Sequence, residues 1–171
     1  MEEEWLESVD TRDTACFAAK RYMDDILLFY TKNPGWDHEK FVKDFDKSEC
    51  YWPPLNLVEC DTDTYLETTF KASWSGLTFR LKNLNAYGKR VWRYNDYRSC
   101  VPVGVKRQLL IATFKKIQKM SSNADQILES VAPIINEFKD LRYPTGLIKF
   151  ACTIVAIDSS NKLWFDIRDT L

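Results

Sequence analysis

Lys20-Arg21-Tyr22-Met23-Asp24-Asp25-Ile26-Leu27-Leu28-Phe29-Tyr30 is the stretch on which the reading of this chain turns. The polar pair Asp24-Asp25 sits between two apolar runs within residues 16–31. The second run, Ile26 to Tyr30, has strand length and is rich in residues that suit a pleated, half-buried surface. A polar pair between two such runs predicts a β-hairpin with the aspartates at its turn. Asn33-Pro34-Gly35 closes the unit with strong turn chemistry.

Outward from this hairpin the pattern changes twice. Upstream, residues 1–15 are acidic and polar and predict a short helix or an arm. Downstream, Phe41, Val42 and Phe45 fit a short amphipathic helix between His38 and Cys50, ended by Trp52-Pro53-Pro54. From Leu55 to Leu84 the apolar residues alternate. A strand is expected over Leu55–Glu59, and a second hairpin pairs Tyr65–Phe70 with Leu77–Lys82, its turn running from Lys71 to Gly76. Residues 85–104 read as an ordered loop, with Tyr87, Trp92, Tyr94 and Tyr97 among lysines and arginines.

The last third reads as helical. Val105, Leu109, Leu110, Ala112, Phe114 and Ile117 form one apolar stripe, and Lys106, Arg107, Lys115, Lys116 and Lys119 fill the other face. Ser121-Ser122-Asn123 supplies N-cap residues. A second stripe follows at Ile127, Val131, Ile134, Phe138 and Leu141, with a kink expected at Pro133. After the Tyr143–Gly146 turn, Leu147 to Val155 suits a third short helix, though Thr153–Ile157 also fits a strand. The expected fold class is α+β, dividing into an arm (1–15), a hairpin-bearing lobe (16–103), a helical lobe (104–157) and a tail (158–171).

Composition narrows the function classes. The 171 residues are 45% hydrophobic and 14% aromatic, enough to bury a core. A net charge of -1 counts mildly against a free-standing nucleic-acid binder but leaves room for a local basic patch. The five cysteines are widely spaced with no C-x-x-C pair, so they read as reduced intracellular thiols rather than a disulfide or zinc framework. No apolar stretch approaches the length of a membrane span, so no membrane association is expected. The single histidine, His38, has no metal-ligand or nucleophile partner at a recognisable spacing and reads as a helix-start residue. The aromatic-basic segment 87–98 could stack bases as single-strand binders do, or pack with snorkelling arginines; packing is favoured.

Adjacent aspartates on a strand turn concentrate hard oxygen ligands that suit Mg²⁺. The run Lys20-Arg21-Tyr22-Met23-Asp24-Asp25-Ile26-Leu27-Leu28-Phe29 resembles the catalytic hairpin of reverse transcriptases. The later order of helix, strand, hairpin and helices is similar to their sequence of palm, primer-grip hairpin and thumb. Tyr65–Phe70 with Gly76–Lys82, and the Tyr143-Pro144 turn, resemble segments from eukaryotic mobile elements, including Penelope-like ones. The resemblance covers roughly residues 16–150. It implies a partial palm with antiparallel hairpins followed by a small helical thumb. It also implies Asp24 and Asp25 as catalytic, metal-binding residues for Mg²⁺ or Mn²⁺, with Tyr22 and Met23 facing the primer end or the nucleotide. Lys106, Arg107, Lys115, Lys116 and Lys119 would lie along a template–primer duplex.

Reverse transcriptases also carry an upstream aspartate-bearing strand and a fingers region. Only about twenty residues precede the hairpin, and Asp10 and Asp13 have no strand pattern around them. The expectation is therefore a C-terminal polymerase part, inactive alone: a fragment, one exon product of a decayed mobile element, or one part of a split polymerase whose fingers and remaining palm come from a separate chain. The alternative is a non-catalytic remnant acting as a nucleic-acid-binding or structural module.

Overall fold

Alternating residues make the first two strands, β1 (Phe17–Tyr22) and β2 (Asp25–Tyr30), which pair antiparallel from Phe17↔Tyr30 to Tyr22↔Asp25. The computed structural model describes residues 17–22, 25–30, 39, 63–74, 76–82 and 93–171. The arm, the Phe41–Phe45 helix, the Leu55–Glu59 strand and His38 lie outside these residues. The chain divides into two compact units, Met1–Thr62 and Asp63–Leu171.

In the second unit β3 (Thr64–Tyr65), β4 (Thr68–Ser73) and β5 (Gly76–Leu81) form an antiparallel sheet in that order. The β4–β5 register runs from Thr68↔Leu81 to Ser73↔Gly76. This corrects the expected hairpin. Lys71 to Ser73 are strand rather than turn, and Thr64–Tyr65 is a separate strand joined through Leu66-Glu67. β5 opens on Gly76 at φ 128°, a conformation that costs glycine little.

Four helices follow: α1 (Val103–Lys119), α2 (Ala124–Asp140), α3 (Thr145–Ser159) and α4 (Leu163–Thr170). Asn123 starts α2 as expected, its side chain accepting from the Gln126 N–H at 3.0 Å. The helix then runs continuously through Pro133. The third segment is helical throughout, so Thr153–Ile157 is no strand. α1 and α3 run parallel. Arg107 lies over the Phe150 ring, Lys115 pairs with Asp158, and Gln118 accepts from Asn161, each pair being 43 residues apart in sequence.

The expected tail is also corrected. Ser160, left-handed at φ 54°, ends α3, and the Asn161 side chain accepts from the Leu163 N–H at 3.1 Å to start α4. Trp164 is then fully buried, stacked on Phe114 at 5.3 Å, with its indole N–H donated to Gln118 Oε1 at 2.6 Å.

The α1 stripe splits in two. Leu110, Ile111, Phe114 and Ile117 are buried, whereas Val105 and Ala112 are exposed and Leu109 is half-buried. The α2 stripe Ile127, Val131, Ile134, Phe138 and Leu141 is buried as expected. Phe138 is its hub, with Tyr94 stacked on it at 4.4 Å and Tyr143 against it at 4.8 Å.

Leu81 of β5 belongs to this same core, and the Phe79 and Ser122 backbones meet through a Ser122 N–H to Phe79 O bond of 2.9 Å. The Phe79 N–H also donates to Ser122 Oγ at 3.1 Å, which covers an otherwise open strand edge. The second hairpin therefore folds with the helices, and the units part between Thr62 and Asp63 rather than at Gly104. Among the described residues, no helix is long and apolar enough to cross a membrane.

Candidate functional site

The β1–β2 pairing runs through six positions on each strand and closes at Tyr22↔Asp25. Asp25 opens β2 and is exposed, as is Ile26, while Leu27 and Phe29 are half-buried. Side chains alternate along a strand, so the face that carries Asp25 continues into Leu27 and Phe29. Met23 and Asp24 lie outside the described residues, as does the side chain of Tyr22. Among the described residues, no three His, Cys, Asp or Glu side chains stand together in a way that could hold a metal ion.

The five cations of α1 do not share one face. At 100° per residue, Lys115, Lys116 and Lys119 fall within about 100° of one another on the outer side, Arg107 lies on a flank, and Lys106 points inward. Lys106 is only 2% exposed. Its ammonium donates to the Tyr97 and Ser99 carbonyls, both at 2.7 Å, and sits 5.3 Å from the Tyr97 ring. Lys106 is thus an internal anchor, and its expected place along a duplex is corrected. A buried ammonium needs such partners because desolvation without them is costly. The signal was in the sequence: Lys106 stands in the row Lys106, Leu110, Phe114, Ile117, whose spacing of four, four and three is that of a buried helix face.

Three of the remaining four cations are placed by carboxylates or rings. Lys115 pairs with Asp158 at 2.5 Å and Lys116 with Glu67. Arg107 lies over Phe150 at 5.7 Å. Lys119 is exposed in the last helical turn, where a cation also suits the helix dipole.

In the loop 93–100, Arg93, Tyr94 and Tyr97 are packed, whereas Asn95, Arg98 and Cys100 are exposed. Arg93 forms a 2.6 Å ion pair with Glu137, which is 4% exposed, and its guanidinium lies 5.4 Å from the Tyr94 ring. Tyr97 contacts Tyr143, and the Tyr97 N–H donates to the Leu141 carbonyl at 2.9 Å. The packing reading of 87–98 therefore holds for Arg93, Tyr94 and Tyr97 but not for Arg98; Tyr87 and Trp92 lie outside the described residues. Burial pushes the Tyr143 hydroxyl above its usual range, with the charge of Asp96 adding to the shift.

Neither a protein-family model, nor a curated protein, nor a solved structure matches this chain.

Proposed function

We propose that the chain is the palm-and-thumb part of a reverse-transcriptase-like polymerase. Asp24 and Asp25 face Mg²⁺ or Mn²⁺, Tyr22 and Met23 face the primer end, and the outer cations of α1 contact a template–primer duplex. The observation that carries this reading is the first hairpin. Its strands pair out to Tyr22↔Asp25, and Asp25 opens the return strand and is exposed. The order of two hairpins followed by helices agrees with it.

The chemistry implied is nucleotidyl transfer, in which metal ions clamp the attacking and leaving oxygens. Two adjacent aspartates alone leave Mg²⁺ under-coordinated, since it takes near-octahedral oxygen geometry and keeps several waters. Further carboxylates and the substrate phosphates must complete the site, so the activity depends on additional polymerase parts. On α1, Arg107, Lys115, Lys116 and Lys119 are the available contacts. Exposed pairs such as Lys115–Asp158 contribute only about 0.2–1 kcal/mol, so a duplex phosphate can displace the carboxylate. Four such contacts give log affinity against log salt a slope of roughly -3 to -4.

The burial of Lys106 and the carboxylate partners of Lys115 and Lys116 favour a second reading, a non-catalytic nucleic-acid-binding or structural module. Primer extension on an RNA template with Mg²⁺ or Mn²⁺, with added fingers and palm, separates the two. Incorporation that disappears in Asp24→Ala supports the polymerase part. Incorporation indifferent to that substitution, or none at all, favours the second reading.

A further inference from the structure

Between the β3–β4–β5 sheet and α1 lies a cleft of about 410 Å³. That is within the range of small-ligand sites, roughly 300–1,000 Å³. One wall is the second apolar row of α1, where Leu109 and Ala112 face the cleft rather than the core. Leu81 and Leu66 contribute apolar surface from the sheet side. Leu66 holds a left-handed φ of 55° and is 48% exposed. That conformation is unfavourable for a residue with a bulky side chain, and such strain clusters at ligand clamps.

The same cleft carries cations. Lys82, Arg93 and Lys116 all contribute to its lining. Lys82 is held beside the Leu66-Glu67 connection by its N–H bond to the Glu67 carbonyl at 2.7 Å. Arg93 satisfies Glu137 through its terminal nitrogen, but its Nε is buried and has no acceptor among the described residues. A buried donor left unmade is costly, so a buried N–H beside a cleft favours an incoming oxygen. Lys116 commits only one of its three donors to Glu67.

We propose that this cleft binds a small organic anion. Its apolar body lies against Leu66, Leu81, Leu109 and Ala112, and its carboxylate or phosphate head takes the donors of Arg93, Lys82 and Lys116. This site is independent of the polymerase reading, because no residue of the first hairpin takes part.

The test is titration of the full chain by calorimetry with four probes: octanoate, octyl phosphate, 1-octanol and inorganic phosphate. Octanoate or octyl phosphate binds saturably, and the tighter of the two names the head group. Octanol, lacking the charge, and phosphate, lacking the tail, bind at least about tenfold more weakly, as loss of a charge-assisted bond or of the buried tail implies. Ala112→Phe fills the cleft from an exposed helix position, so it removes binding while circular dichroism and the melting temperature stay unchanged. Lys82→Gln weakens the anions but leaves octanol unaffected. The proposal is overturned if neither amphiphilic anion saturates, if octanol or phosphate binds equally well, or if Ala112→Phe leaves the affinity unchanged.

Discussion

Two hairpins of equal size stand in the two compact units. Each has six paired positions. In the first the pairing closes at Tyr22↔Asp25. In the second it closes at Ser73↔Gly76, and its base is anchored: Leu81 enters the helical core, Phe79 exchanges bonds with Ser122, and Arg80 pairs with Glu129 at 2.7 Å. The difference teaches that backbone pairing of equal extent can serve two ends. In the second hairpin the strands attach a sheet to a helical core, and substitutions near its base and the helices beneath should read out as stability. In the first, the feature of interest is an exposed acidic end, whose substitution should read out in ligand binding.

The largest effect that can break this contrast is Phe114→Ala. Phe114 is fully buried and touches Trp164 and Phe138, so its truncation costs about 3–5 kcal/mol in chemical denaturation. Asp25→Asn, at an exposed position, should cost no more than about 1 kcal/mol. Comparable losses for the two would erase the distinction. Next comes Glu137→Ala, which leaves the Arg93 guanidinium, 17% exposed, without its carboxylate. Removing one partner of a buried pair costs about 3 kcal/mol, and Glu137→Gln should recover part of that loss.

The cations of α1 sharpen the comparison further. Lys106→Ala orphans two carbonyls and costs about 2 kcal/mol, whereas Lys119→Ala changes stability by less than about 0.5 kcal/mol. If α1 binds a duplex, Lys119→Ala lowers the salt slope by about 1. An effect confined to high pH concerns Cys152. Burial pushes its thiol from 9.0 to about 11. Because the folded pKa is the higher one, the native state binds the proton more tightly. Its contribution to stability is complete below pH 9 and is lost as pH rises from 9 toward 11. Cys152→Ala should flatten that part of a stability–pH curve.

Much of the α+β fold was legible because its signals were local and periodic. The Lys20–Tyr30 run gave the first hairpin, and the α2 stripe gave the buried Ile127, Val131, Ile134, Phe138 and Leu141 but not the buried polar Ser130 and Glu137. The second hairpin was misplaced because Lys71-Ala72-Ser73 lie on its exposed outer half, where strand residues need not be apolar and so resemble a turn. The closing helix was missed because at eight residues it shows little more than one buried pair, Trp164 and Ile167, although Asn161 just before it is a start signal. Lys106 was assigned by its charge, yet its position in the Leu110–Phe114 row decides its place. At the candidate site, the aspartate pair could be located from sequence. Its metal partners could not, since ligands brought together by folding carry no local pattern.

The most direct measurement is Mn²⁺ binding to the full chain, followed by paramagnetic relaxation of water protons, in wild type and Asp24→Ala. The polymerase reading predicts saturable binding by wild type that is lost in Asp24→Ala while the fold is retained. Equal binding by the two proteins, or none by wild type in the presence of template–primer, would contradict it.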